Sequence, residues 1–375
     1  MSNELTVFPK TDHSDRRLRV LLVGEYVWPW YQEACATALE QHGCDVVRFG
    51  WLDDFRRFSQ DASEPIFRSF WRRIQHRLGI GPTVWRVYAR LLKLARASQP
   101  DIVWFYNVQL IAPSVVRAMK KDLPGATFVQ YANDNPFSSD AKRSIWRYYL
   151  SSIPLFDKHF SYRHSNIEDY RRYGATSVHL LRSYFIREED FPVPQEEIPD
   201  KFKCDVVFAG HYEDDGRVEV LEAICDAGYR LNLFGGGWNA ALSTLREDSP
   251  LRSKYPIAPA IGADYRYAIC GAKVALCFLS TLNRDTYTRR NFQIPAMEVA
   301  MLSQYTDDLA EMYEADREAV FFKNQRDLLC QLERLVNDDA WRRAIAHAGY
   351  KKVYSAGHDV RGRIGSWLQE VCNVR

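Results

Sequence analysis

Two runs of nearly the same design, Leu18 to Gly24 (LRVLLVG) and Cys204 to Gly210 (CDVVFAG), constrain this chain more than anything else in it. Each is short, rich in branched residues, apolar without alternation, and closed by a glycine. A strand that reads as apolar on both faces is buried on both faces, the condition of a parallel sheet covered by helices. The residues after each run agree: a helical pattern over Tyr31 to His42, stopped by Gly43, and another over Val218 to Ala227. Parallel neighbours need a crossover between them, and Cys44 to Phe49 supplies the neighbour after the first helix. The pattern predicts a doubly wound α/β sheet in each half of the chain. With 375 residues, 46% of them hydrophobic, there is material for two cores.

Strands and helices alternate through the first half: DIVWFYN from Asp101, a helix over Pro113 to Lys121, TFVQYAND from Thr127, KHFSYR from Lys158, a helix ending at Gly174, then SVHLLR. The rhythm breaks at Glu188 to Lys203 (EEDFPVPQEEIPDKFK), with three prolines, many acids and no period. That composition reads as an interdomain linker. It divides the chain into an N-terminal domain over 1–195 and a C-terminal domain over 196–357, with a last helix from about 358 to 375. After the linker come YRLNLFGGGW and AKVALCFLS (Ala272 to Ser280). Open α/β sheets bind ligands at the carboxyl ends of their strands. Gly24-Glu25, Asn133-Asp134, Gly210-His211, Gly235 to Gly237 and the stretch after Ser280 are those ends.

Several function classes are disfavoured. Fifty Lys+Arg against 48 Asp+Glu leave a net charge of +2, too balanced for a dedicated nucleic-acid binder. The eight cysteines show no C-x-x-C or zinc-finger spacing and sit in apolar stretches, as free thiols of a reducing cytosol would. Met1 to Asp15 is polar, without a signal-peptide pattern, and no apolar run approaches the ~18 residues that span a bilayer. The expectation is a cytoplasmic protein, at most attached to a membrane surface. The first strand runs into GEYVWPW, not G-x-G-x-x-G, which disfavours a nicotinamide dehydrogenase. No metal or other cofactor is expected, since Glu213-Asp214-Asp215 reads as solvated loop acids.

Four stretches could carry chemistry. Gly210 ends a strand where a ligand can approach the backbone, and Arg217 at the next helix start could hold a phosphate by a forked hydrogen bond; an ordinary turn with a solvated Arg is the plainer reading. Gly235, Gly236 and Gly237 permit close ligand contact or merely a flexible turn. In RDTYTRRNFQIPAMEVAMLS (Arg284 to Ser303), Arg289 and Arg290 lie between Asp285 and Gln293 and ahead of an apolar helical pattern. Arginines at a helix start favour a diphosphate, and Gln293 could bond ribose hydroxyls; a solvated basic helix start is the alternative. Asp134, in YANDNPF, would enter a cleft from the opposite side as a base or hydroxyl anchor, with Glu25 next in line, although Asn-Asp-Asn-Pro is also good turn chemistry.

A fifth stretch, Phe55 to Ala97, sets Arg56, Arg57, Arg68, Arg72, Arg73, Arg77, Arg86, Arg90, Lys93 and Arg96 against Asp61 and Glu64. Phe67, Phe70, Trp71, Ile74 and Leu78 recur at helical spacing. The preferred reading packs this apolar face on the first sheet and leaves the basic face in water. The other is peripheral contact with an anionic membrane or an acidic acceptor.

Together these stretches resemble the CgeB-like, spore-maturation-type bacterial glycosyltransferases with a group 1 glycosyltransferase C-terminal domain. The resemblance rests on DVVFAGHYEDDGRVEVLEAICDAGY, FGGGW, TRRNFQIPA, REAVFFKNQRDLLCQLERLVND and WRRAIAHAGYKKV in that order, with a looser fit of YANDNPF and FDKHFSYR. It implies a GT-B fold: two Rossmann-like domains facing across a cleft, with a last helix, Val360 to Val371, crossing back to the first. It further implies a nucleotide-sugar donor on the second domain and a glycan, lipid-linked or protein acceptor on the first, with transfer that needs no metal and retains configuration. The donor side would include Gly210, His211, Arg217, Gly235, Gly236, Arg290 and Phe292. Asp285 and Gln293 fall at the two acid positions of an E-x7-E pattern. Gln stands at 293 where the family has Glu, and Met297-Glu298 replaces Cys-Gly, so Glu298 is a second candidate for the ribose. A GT-B-fold epimerase and a non-catalytic nucleotide-binding paralogue are the rival readings.

Overall fold

The structure is a computed structural model that describes residues 16–56, 66–139 and 143–372. Arg57, Asp61 and Glu64, the segment Met1 to Asp15, and the side chains of Arg56, Phe67 and Arg68 lie outside the described residues. Six strands form the first sheet: β1 (Arg19–Gly24), β2 (Asp45–Gly50), β3 (Ile102–Tyr106), β4 (Thr127–Ala132), β5 (Lys158–Ser161) and β6 (Val178–Leu180). Five form the second: β7 (Cys204–Ala209), β8 (Leu231–Phe234), β9 (Ala272–Cys277), β10 (Ala300–Gln304) and β11 (Val320–Phe322). The orders are β2-β1-β3-β4-β5-β6 and β11-β10-β9-β7-β8, and every pairing is parallel.

The two opening strands are buried on both faces. Leu21 and Val23 enter the cluster under the helix Pro82–Ser98, where they meet Val84, Val87 and Leu91. Val20 and Leu22 face the other way, into a cluster shared by both halves of the chain. That cluster continues through Trp104, Tyr184 and Phe185 to Val207, Ala209 and Ala275 of the second sheet. Helices on both faces are what unalternating apolar strands require.

Each sheet has a point where the strand order reverses, between β1 and β3 and between β7 and β9. Chains leave adjacent strands in opposite directions there and open a crevice at the carboxyl ends. The segment Leu181 to Lys203, between the sheets, contributes no strand to either. After the helix Asp339–Ser355 the chain returns: Phe185 bridges Asp359, and the helix Val360–Cys372 lies against the first sheet, Trp367 stacked on Trp104 at 4.3 Å.

Two sequence expectations fail on the periphery. Phe70, Trp71 and Leu78 are exposed and do not pack on the sheet. The reason is that the next helix, Pro82–Ser98, already covers that face with Val84, Val87, Leu91 and Ala95. The apolar pattern after Arg290 is not one helix either. A helix runs only from Arg290 to Ala296, and β10 takes up the rest.

Candidate functional site

The two switch points face each other. On the first sheet, β1 runs out through Glu25, half-buried, into a wide-turned helical segment, Pro29–Glu33. Such π-type turns concentrate at functional sites. Gln32 folds back beneath it toward the carbonyl of Tyr106, at the end of β3. Tyr31 is held over Tyr106, ring centres 6.4 Å apart, and Trp30 stacks on Trp28 at 4.8 Å.

On the second sheet Arg290 reaches across the switch point. Its guanidinium donates to the carbonyl of Ala209 at 3.4 Å and to that of Phe278 at 3.1 Å, thereby joining the ends of β7 and β9. Its Nε is buried without a partner, and among the described residues no carboxylate lies within ion-pairing distance of it. Main-chain carbonyls neutralise no charge, so this is a half-buried cation that Asp285 reaches only through its field and not as an ion pair. Gly210 leaves the space beside it open: a Cβ there would come within 3.0 Å of the Arg290 guanidinium. Gly235 crosses Gly210 so closely, at φ +150°, that any Cβ would collide with the Gly210 carbonyl oxygen. Trp238 Nε1 donates to that same oxygen at 3.0 Å. The glycine loop therefore locks the two strand ends together.

Tyr31 links the two halves. Burial raises the pKa of its hydroxyl, Arg289 and Arg290 pull it down, and Asp134 pushes it up, so all three charges act on one phenol. Asp134 itself is exposed and accepts from the amide of Asn107 at 3.2 Å. Asn107, at the end of β3, holds a left-handed backbone with φ 57°. Asp134, Tyr31, Arg289 and Arg290 thus share one region at the carboxyl ends of both sheets.

Other expected site residues lie elsewhere or are already engaged. Arg217 is buried and forked onto Asp215 at 2.6 and 2.7 Å, with Glu213 at 3.6 Å and the His211 carbonyl as a further partner. Nearby acids engage its fork, so in this structure it fastens the loop from His211 to Arg217. His211 is exposed, its ring lying over Gly236. Asp285 is paired with Arg163 of the first half, whose guanidinium also bonds the Asn133 carbonyl at 3.0 Å. Burial raises the Asp285 carboxyl pKa, and Arg163 works against that rise. Phe292 is fully buried between Tyr287 and His358, a core residue and not a contact for the donor. Glu298 stands ahead of β10, at the amino end of the sheet, paired with His347 at 2.7 Å. It cannot reach a ribose bound at the carboxyl end, because the strand it precedes runs away from it.

Gln293 and Arg289 meet a residue that the sequence placed in the linker. Asp190 accepts from the Gln293 amide at 2.8 Å and lies 3.4 Å from Arg289. Tyr265 donates to the other end of Gln293 at 3.2 Å. Arg289 also lies against the faces of Trp30 and Tyr184. Trp30, Tyr31, Arg163, Tyr184, Asp190 and Tyr265 all belong to this region and escaped the sequence reading. The aromatic run VWPWY, two residues beyond a strand-ending Gly24, was the one signal that could have found two of them.

Two parallel α/β sheets set with their switch points opposed, and a last helix returned to the first, define the GT-B fold. Residues 217–369 match the family described as glycosyl transferase-like. Solved structures cover almost the whole chain. Sucrose-phosphate synthase from Thermosynechococcus elongatus superposes with a TM-score of 0.65 at 12% identity, over 96% of this chain and 100% of its own. HepE from Anabaena, in complex with UDP and glucose, gives 0.64 at 11% over 96% and 100%. A glycosyltransferase from Rickettsia africae gives 0.63 at 11% over 96% and 100%. No curated protein matches the sequence significantly.

Proposed function

We propose that the protein is a glycosyltransferase that moves a sugar from a nucleotide-diphosphate-sugar to a hydroxyl acceptor. The observation that carries this reading is Arg290: a half-buried guanidinium at the switch point of the second sheet, bonded to two main-chain carbonyls, without an ion-pair partner among the described residues, and bordered by Gly210. A diphosphate is the anion such a place suits, and its charge grows as the glycosidic bond breaks. A fixed cation there stabilises the leaving group more than the ground state. That HepE was solved with UDP and glucose supports a nucleotide-sugar as the donor. The acceptor side is the first sheet, where Asp134 would orient the acceptor hydroxyl or take its proton. The N-terminal domain extends to about residue 195 in this reading, and transfer is independent of metal.

The test is nucleotide binding followed by thermal shift and by donor hydrolysis. Losing a charge-assisted bond costs about 1.5–3 kcal/mol, so Arg290→Ala should weaken nucleoside-diphosphate binding roughly tenfold or more. Undiminished affinity would defeat the assignment. Chelator should leave transfer unchanged.

A second reading has its own observation. Asp285 is tied to Arg163 and Gln293 to Asp190, so two positions aligned with the donor pattern are occupied from within. A nucleotide-binding paralogue without transfer would look like this. Binding without donor hydrolysis or transfer would favour it.

A further inference from the structure

We propose that Phe70, Trp71, Leu78, Ile80 and Trp85 form a face that seats this protein on an anionic lipid bilayer. These residues are 57, 48, 54, 57 and 60% exposed, all within sixteen residues on two helices that pack together and the turn that joins them. Scattered apolar residues are ordinary on a surface, but a group of large ones is not. The turn between the helices is fixed, since Gln75 Oε1 accepts from the backbone N–H of Thr83 at 2.8 Å. Behind it Val84, Val87 and Leu91 are fully buried on the first sheet, which turns Trp85 outward.

Charge says what covers this face. From Ile66 to Ser98 there are eight Arg or Lys and no Asp or Glu, in a chain whose net charge is only +2. Arg90 is bound by Asp54 and Arg96 by Asp122. Arg73, Arg77, Arg86 and Lys93 have no ion-pair partner among the described residues. Cations ringing exposed aromatic and aliphatic side chains match the headgroup and acyl layers of an anionic membrane. A second copy of the chain fits poorly, because a two-fold contact would set this basic face against itself.

The face is continuous with the acceptor side. A cavity of about 370 Å³ lies beside it, lined by Trp51, His76, Arg77, Leu110, Ile145 and Tyr148. Trp51 and Leu110 follow the carboxyl ends of β2 and β3, the same edge that carries Asp134. If the first sheet takes the acceptor, as the transferase reading holds, that acceptor is drawn from the lipid surface. Docking itself does not depend on that reading, and so can be tested apart from it.

The experiment is co-sedimentation of the full chain with vesicles of phosphatidylcholine alone and of phosphatidylcholine mixed equally with phosphatidylglycerol. Binding is expected to the mixed vesicles only, and should fall as salt rises. The double variants Trp71→Ser with Trp85→Ser, and Arg73→Glu with Arg77→Glu, should each weaken it roughly tenfold or more. Nucleotide affinity and the thermal midpoint should stay as in the wild type. No binding to mixed vesicles, or binding unchanged in both double variants, overturns the proposal. So does a dimer that the tryptophan variant converts to monomer, which would assign the face to self-association. Release by added RNA with the tryptophans irrelevant would assign it to a nucleic acid instead.

Discussion

At position 293 the neighbour decides which residue can stand. The Gln293 amide donates to a carboxylate oxygen of Asp190, and its carbonyl accepts from Tyr265. A glutamate has no N–H to offer, so at this position it would set one carboxylate against another in a buried place. Gln293→Glu should therefore cost roughly 1–3 kcal/mol in thermal or denaturant stability. Asp190→Asn in the same chain restores a donor and should recover most of the loss. A single variant as stable as the wild type would show that the contact carries little. His358 makes a second residue-scale prediction. Its Nδ1 is buried without a partner and its ring meets Phe292 edge-on. Burial, then the charges of Arg363, Lys352 and Arg182, push its pKa down to about 3. The unfolded chain binds that proton near pH 6.5 while the folded chain does not, so stability falls as pH drops from about 6.5 toward 3. His159, pushed down to about 4 by burial, acts in the same direction. The share from His358 should be about 1–2 kcal/mol at pH 5, and His358→Leu should flatten the fall between pH 6.5 and 5 by that amount.

Among the elements, the returning helix Val360–Cys372 ties the chain's end to its beginning. Trp367 is fully buried, stacked on Trp104 of β3 and 5.9 Å from Phe160 of β5. His42 and Arg361 are joined at 2.8 Å, and Lys158 reaches the Glu370 carbonyl. Trp367→Ala should cost about 3–5 kcal/mol by equilibrium unfolding, with the loss of the stack and a cavity left behind. A loss under about 1 kcal/mol would mean that the helix is peripheral to the fold. This helix was expected only from the family resemblance, whereas β1, β3, β4, β7 and β9 were legible in the residues themselves, as short unbroken apolar runs between helical or turn stretches. β10 and β11 were not. AMLSQ and VFF are short, and apolar runs of that length read equally as buried helix. That ambiguity misplaced Glu298, which the strand carries to the wrong end of the sheet. The strand-end glycines were readable as positions because a turn after a parallel strand has a fixed address, and Arg290 because a basic pair precedes an apolar helical pattern. Asp190 and Arg163 were not, since their partners, Gln293 and Asp285, lie about a hundred residues away and only the closed fold brings them together.

Across the whole molecule the two halves are joined by charge as well as by apolar contact. Arg163 and Asp285 form a buried pair across the cleft, and Arg182, in the segment between the sheets, pairs with Asp308 of the second half. Beside the first pair Tyr162 and Tyr287 stack at 4.8 Å, with the Tyr287 hydroxyl donating to the Tyr162 carbonyl. A buried pair adds little net stability over apolar packing, yet removing one partner strands the other and costs about 3–5 kcal/mol. If the halves part about the segment Leu181 to Lys203, a hinge-type opening, the stranded Asp285 has an escape to water that a core residue lacks. Arg163→Met should therefore expand the molecule more than it unfolds it, seen as a larger radius of gyration in X-ray scattering with little change in helix content. Arg163→Met with Asp285→Leu leaves no charge to hydrate and should return the scattering toward the wild-type curve. If the single variant scatters as the wild type does, the apolar cluster running from Val20 to Ala275 holds the halves without the pair. If the single and double variants open alike, the guanidinium's bond to the Asn133 carbonyl, and not its charge, is what the cleft requires.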